Sequence, residues 1–193
     1  KIIPISNDGR KYVLNNKLSV RPEKVVTSRL GVDDFAINIR YRDGIYSKKD
    51  QEPLVILTLS HINPVKRLDR LVDVLKEIDS IEIVWEHIGY GHHLYESTMI
   101  QYIETELKEK KNIKFRWHGQ FSKKQVKDFL ENTPIELIVN CSDTEGIPVS
   151  LMEACSTGIP AIAFDIGGIP DVVSNNENGL LLHYDKEKNN SNL

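Results

Sequence analysis

An α/β chain built on a doubly wound parallel sheet is the fold class this sequence predicts, and three observations predict it. From Leu54 onward, short apolar runs suited to strands alternate with stretches whose apolar residues recur at helical spacing. The first of these runs is continuously apolar, as a strand buried on both faces requires. Glycine-containing and polar segments follow the runs directly, and in parallel sheets with right-handed crossovers the carboxyl ends of the strands are where ligands sit.

Taken in order, residues 2 to 5 read as a strand, Ser6 to Gly9 as a turn, and Arg10 to Leu14 as a short helix. Lys24 to Val32 reads as a second strand closing on Gly31, and the polar stretch 41 to 53 as a linker. Leu54 to Leu59 is the first strand of the alternating region, followed by a helix with Leu68, Leu71, Val72, Leu75 and Ile78 at helical spacing. Ile81 to Ile88 is the next strand, and a long helix follows with Leu94, Met99, Tyr102, Ile103 and Leu107 as candidates for its buried face. After a third strand, Ile113 to Trp117, Ser122 and Gln125 form a capping box that opens a helix with Val126, Phe129 and Leu130 inward. Leu137 to Cys141, Ala161 to Phe164 and Gly179 to His183 complete the strands.

Bulk properties narrow the function. The 193 residues are long enough for a sizeable core, and 40% hydrophobic with 27% charged residues is ordinary globular composition. A net charge of −3 gives no electrostatic reason to expect nucleic acid or an acidic membrane as partner. The two cysteines, Cys141 and Cys155, lie in apolar contexts, so reduced packing residues and a cytoplasmic compartment are expected. No apolar run approaches the roughly 20 residues of a membrane span, and no signal peptide opens the chain. A first residue of lysine and the polar end from Asp185 to Leu193 read as a piece of a longer protein.

The most informative stretch runs from Asp143 to Ala154, where Glu145 and Glu153 stand eight residues apart across a helix start. Gly146 lets the backbone approach a ligand closely, Pro148 suits the first helical turn, and Gly158 can end the helix in a left-handed conformation. The unpaired N–H groups at such a helix mouth suit a phosphate, with an acid on either side for hydroxyl groups.

The run from Glu145 to Asp171 resembles the Glu-x7-Glu signature and following strand of the family 4 retaining glycosyltransferases (glycosyl transferases group 1), which have the GT-B fold. Ser60-His61-Ile62-Asn63-Pro64-Val65-Lys66-Arg67 is similar to that family's first donor-domain loop, Ile88-Gly89-Tyr90-Gly91 to its "iGxG" turn, and Trp117-His118-Gly119-Gln120 to its base-side loop. Together these segments cover most of residues 54 to 183. The resemblance implies that residues 1–50 are the end of an N-terminal acceptor domain with its linker. It implies that residues 51–193 are a nucleotide-sugar-binding, Rossmann-like domain truncated at its C-terminus.

What the resemblance implies residue by residue stands beside plainer readings. Lys66 alone reads as a solvated lysine; by resemblance it holds the donor diphosphate. His61 departs from the family, which usually has an arginine there to neutralise the leaving group; histidine is shorter and near neutral at pH 7. Glu145 is either an acid favoured by the helix dipole or a contact to the donor sugar that stabilises positive charge at the anomeric carbon. Glu153 is either a paired helix glutamate or the ligand of the ribose hydroxyls. Gly146, Ile147, Pro148 and Val149 would contribute backbone to the donor. Gly89 is a tight turn or a direct contact, and Gln120 a loop residue or a backbone partner of the base. Gly167 and Gly168 read as shaping a turn, and Arg67 as an outward charge. His87, His92, His93 and His118 lack ligand spacing, so no metal and no cofactor are expected. The implied partners are a nucleotide-sugar donor and a glycan, lipid-linked or small-molecule acceptor, with membrane association only through a further domain. A fold kept without its chemistry, as a silent nucleotide-binding module, is the alternative that His61 motivates.

Overall fold

The computed structural model describes residues 1–16, 20–39, 41 and 52–185. A short helix α1 (Asn7–Asn15) precedes the alternating region. There the order is β1 (Leu54–Leu59), α2 (Leu68–Lys76), β2 (Ile83–Ile88), α3 (His93–Glu106), β3 (Ile113–Trp117) and α4 (Lys123–Asn132). It continues with β4 (Leu137–Asn140), α5 (Val149–Ser156), β5 (Ala161–Phe164) and β6 (Gly179–Leu182). All six strands are parallel, in the spatial order β3-β2-β1-β4-β5-β6.

Successive strand residues face opposite layers. Leu57 and Ile138 join Leu130, Leu151 and Ile159 under α4 and α5, whereas Ile56 and Trp85 join Leu71, Val72, Leu75 and Ile103 under α2 and α3. Helices on both faces explain why β2 is buried at every position. The capping box forms as read: Ser122 N–H donates to Gln125 Oε1 at 2.9 Å, and Gln125 N–H reaches Ser122 Oγ at 3.4 Å. Gly158, at φ 87°, ends α5 in the left-handed region.

Sheet order matters most for position. Connections run outward from β1 through β2 to β3, and then reverse through β4 to β6, so the crevice between β1 and β4 is the topological switch point. The loop after β1 carries Lys66 and the loop after β4 carries Glu145.

Several expectations shift. Residues 2–5 and 24–32 make an isolated parallel bridge, Ile2 to Val25, rather than strands, and a 3-10 turn over Pro22–Lys24 replaces the start of the second. Ile2 N–H still donates to Lys24 O at 2.9 Å and Ser28 N–H to Pro4 O at 3.0 Å, so the two segments lie side by side. The turn read at Ser6 to Gly9 is the opening of α1, because the Ser6 hydroxyl caps Gly9 N–H at 2.9 Å. Leu94 is 71% exposed, since it sits in the first turn of α3, ahead of the part that meets the sheet. β2 begins at Ile83 rather than Ile81, and β4 and β6 end one residue early at Asn140 and Leu182. Most of the linker expected over 41 to 53, and the polar tail after Asp185, lie outside the described residues.

Candidate functional site

Lys66 closes a 3-10 turn, Pro64–Lys66, opened by Asn63, whose side chain accepts from Val65 N–H. Arg67 follows in the left-handed region at φ 47° and leads directly into α2. This geometry aims Lys66 across the crevice, where its Nζ donates to Glu145 Oε1 at 2.6 Å. The same oxygen accepts from Ser142 Oγ at 2.7 Å and Asn140 Nδ2 at 3.0 Å. Burial pushes the Glu145 carboxyl up, but the bonds from Asn140, Lys66 and Ser142 together outweigh it, and the group stays ionised below the ordinary range.

The loop from Glu145 to Pro148 is held from beneath by the turn after β5. A Cβ on Gly167 would stand 1.9 Å from the Glu145 carbonyl oxygen, and Gly168 N–H donates to Gly146 O at 2.7 Å. Those two glycines shape the loop that carries Glu145. Gly146 itself has open space where a side chain would be. Pro148 takes the N-cap position of α5 rather than a place in the first turn, so its carbonyl accepts from Leu151 and Met152. Val149, 45% exposed, stands at the mouth, whereas Ile147 is buried in the core beside Gly168. The first N–H groups of α5 have no partner within the helix.

Glu153 is half-buried on α5 and makes no side-chain hydrogen bond or ion pair among the described residues. Burial raises its pKa, with Lys123 pulling the other way and Asp33 adding to the rise. An acid desolvated without a donor is suited to hydroxyl groups arriving from outside.

Across the crevice, Ser60, His61, Gly89, Tyr90, Gln120 and Phe121 line a cavity of about 240 Å³. His61 Nδ1 lies 3.2 Å from the Tyr90 carbonyl oxygen, and its ring meets that of Tyr90 edge-on at 4.7 Å. A carbonyl only accepts, so Nδ1 carries the proton there. Gly89 must be glycine for the fold: at φ 151° a Cβ would fall 1.8 Å from the Ser60 carbonyl oxygen. Gly89 N–H also donates to Gly119 O at 2.9 Å, tying the turn after β2 to the loop that carries Gln120. A second open cavity of about 610 Å³ shares Glu145 and is lined by Asp8, Asp143, Asp165 and Asp185.

The structure thus brings Lys66 and Glu145 together, and His61, Gly89 and Gln120 together around the neighbouring cavity. The expected outward position of Arg67 is corrected: its side chain is 12% exposed, and it donates to Asp69 at 2.8 Å and to Asp143 at 3.2 Å. Left-handed backbone turns it back onto the α2 mouth. Asn140, Ser142 and Asp143 were not singled out from sequence, although the polarity of Ser142 and Asp143 directly after an apolar strand was a signal for those two; Asn140 is the last residue of β4 itself. Glu86 was also missed inside its strand; it is buried, yet accepts from Arg116 at 2.7 Å and from His118 at 2.6 Å. Among the described residues no three His, Cys, Asp or Glu side chains converge as a metal set. No helix there is long and apolar enough to cross a membrane.

Comparison with known proteins adds to this geometry. The family model described as glycosyl transferases group 1 matches residues 45–190. The amylovoran biosynthesis glycosyltransferase AmsK of Erwinia amylovora is 26% identical over 166 residues, 82% of this chain and 38% of that protein. The poly(ribitol-phosphate) alpha-N-acetylglucosaminyltransferase of Staphylococcus aureus is 27% identical over 184 residues, covering 90% of this chain and 36% of its own length. The chain therefore spans well under half of these relatives. Among solved structures, the apo lipopolysaccharide outer core galactosyltransferase WaaB superposes with a TM-score of 0.75 at 21% identity, covering 97% of this chain and 49% of that one. Anabaena HepE in complex with UDP gives 0.74 at 18% identity, covering 94% and 49%. These likenesses establish the fold as one Rossmann-like half of the GT-B architecture.

Proposed function

This chain belongs to the glycosyl transferases group 1 family, and from that premise we propose that it is the donor-binding part of a retaining, family 4 hexosyltransferase. Residues 51–193 would bind the nucleoside diphosphate sugar, and residues 1–50 would be the end of the acceptor domain and its linker. In the whole enzyme the sugar would pass to an acceptor hydroxyl of a glycan, lipid-linked or small molecule, with its anomeric configuration retained.

The observation that carries this reading is the pairing of Lys66 with Glu145 at the switch point, 2.6 Å apart at the mouth of α5. Lys66, His61 and the α5 N-terminus would take up the diphosphate charge as the sugar leaves. With Nδ1 turned to the Tyr90 carbonyl, Nε2 is the ring nitrogen that would face the phosphate. Glu145 would orient the sugar hydroxyls and Glu153 the ribose. Gly146 and Val149 would offer backbone N–H groups, with Ile147 and Pro148 fixing the loop, while Gly89 and Gln120 line the space for the base. The reading calls for no metal and no cofactor, and for a cytoplasmic setting where nucleotide sugars are made. Solved structures of HepE with UDP, and of the pneumococcal GtfA with UDP and GlcNAc, make UDP the first nucleotide to try.

Titration calorimetry tests it. UDP, GDP and ADP are offered in turn, and saturable binding of one is expected. Lys66→Ala and Glu153→Ala should each weaken that binding by about tenfold or more, the scale of one lost charge-assisted contact. Absence of binding by all three in the full-length protein would overturn the reading. His61, in place of the usual arginine, favours one second reading: a silent nucleotide-binding module. Nucleotide binding without transfer in the full-length protein would select it.

A further inference from the structure

We propose that Asp143 is a positioning residue that sets the Lys66 ammonium for the diphosphate, acting from the loop after β4 on the loop after β1. The inference rests on the donor-site reading above and deepens it. Asp143 grips both neighbours of Lys66. Its own N–H donates to the Val65 carbonyl at 2.9 Å, and its Oδ2 accepts from Arg67 Nη1 at 3.2 Å. One residue therefore holds the chain on each side of Lys66, and it lies only two positions before Glu145.

The hold is needed because Arg67 is in the left-handed region at φ 47°, which is strained for a non-glycine residue and persists only where surroundings impose it. Were Arg67 to relax, the 3-10 turn would unwind and the Lys66 side chain would leave the crevice. Asp143 is braced in turn. Tyr184, just beyond β6, donates its hydroxyl to Oδ1 at 2.6 Å, and Arg70 of α2 pairs with the same oxygen at 2.5 Å. Arg70 also donates to the Cys141 carbonyl at 3.0 Å and lies over the rings of Phe164 and Tyr184. Asp143 thereby ties α2, the β4 loop and the exit of β6 to the lysine that meets Glu145. Its carboxylate is engaged by Arg67, Arg70 and Tyr184, so its influence on a diphosphate would run through Lys66.

The test is a double-substitution cycle on UDP affinity with Asp143→Asn, which keeps the shape and removes the charge, and Lys66→Ala. Asp143→Asn should weaken UDP about tenfold, leave uridine affinity unchanged, and add little in the Lys66→Ala background, since coupled residues are non-additive. Tyr184→Phe, which removes one brace, should move the same way by less. Additive losses, or equal loss for UDP and uridine, would overturn the inference while leaving the donor reading intact. Amide hydrogen exchange gives a nucleotide-independent arm: residues 62–67 should exchange faster in Asp143→Asn while β1 and β2 stay protected. Unchanged exchange there overturns the inference even if the protein binds no nucleotide at all, an outcome that would count against the donor reading separately.

Discussion

At the scale of single residues, the carboxylates and imidazoles near the candidate site have different surroundings. Glu145 sits in a cage of donors and Glu153 has none, so two glutamates eight positions apart are prepared for different work. Their positions were legible from the helix start between them. The cage was not, because Asn140 and Ser142 gain meaning only once β4 ends beside the Lys66 turn. His87 was legible only as one of several histidines without ligand spacing. It is fully buried, 2.7 Å from Thr58 Oγ1, which also accepts from Trp85 Nε1 at 2.8 Å. Burial, with the nearby His118 adding, pushes its pKa down from 6.5 to about 4. A neutral folded imidazole means that between those values the unfolded chain binds the extra proton. Stability is therefore full above pH 6.5 and falls as pH drops toward 4, by about 1 kcal/mol per pH unit. Glu145 and Asp143, both held below the carboxylate range, lose their contributions only at still lower pH. Denaturant unfolding at pH 7, 6 and 5 should record this slope, and His87→Gln should flatten it; an equal slope in the variant would assign it elsewhere.

At the scale of elements, each loop at the carboxyl edge is locked to its neighbour by backbone that leaves no room for a side chain. Gly89 lies against Ser60, Gly91 against Ile62, and Gly167 against Glu145. Gly146 differs, with open space before it. Gly89→Ala should therefore cost about 3 kcal/mol of stability, since neither backbone can yield. Gly146→Ala should leave the melting temperature nearly unchanged and weaken nucleotide binding instead. Thermal melts paired with UDP titration separate the two, and a large stability loss in Gly146→Ala would remove that glycine from the site. Elements with strong periodicity or caps, such as α2 and α4, were legible to within a residue or two. Before residue 35 the helix over Arg10 to Leu14 was legible, as part of α1, but the two segments read as strands were not. Their apolar runs resemble strands, but Ile2 and Val25 form a single bridge, and polar capping by Ser6 won over the turn signal of Gly9.

At the scale of the whole molecule, order in the sheet decides where the candidate site lies. The reversal at β1 and β4 opens a crevice, and the two loops that flank it carry Lys66 and Glu145. Alternation of strands and helices made the parallel sheet legible, and the glycine and proline punctuation made the edge legible. The pairing across the crevice depends on non-local contacts that no local pattern reports. The N-terminal segment is tied to the same edge, because Asp171 accepts from Asn7 N–H at 2.6 Å and from Arg29 at 3.2 Å. Amide shift mapping by NMR during UDP titration tests the location of the site most directly. The expected shifts fall on Gly89, Gln120, Gly146, Val149 and Ser150 at the carboxyl edge, with none on Leu54, Ile83 or Ile113 at the opposite edge. Saturable shifts centred away from that crevice, or none at all with the folded full-length protein, would contradict a donor site at the switch point.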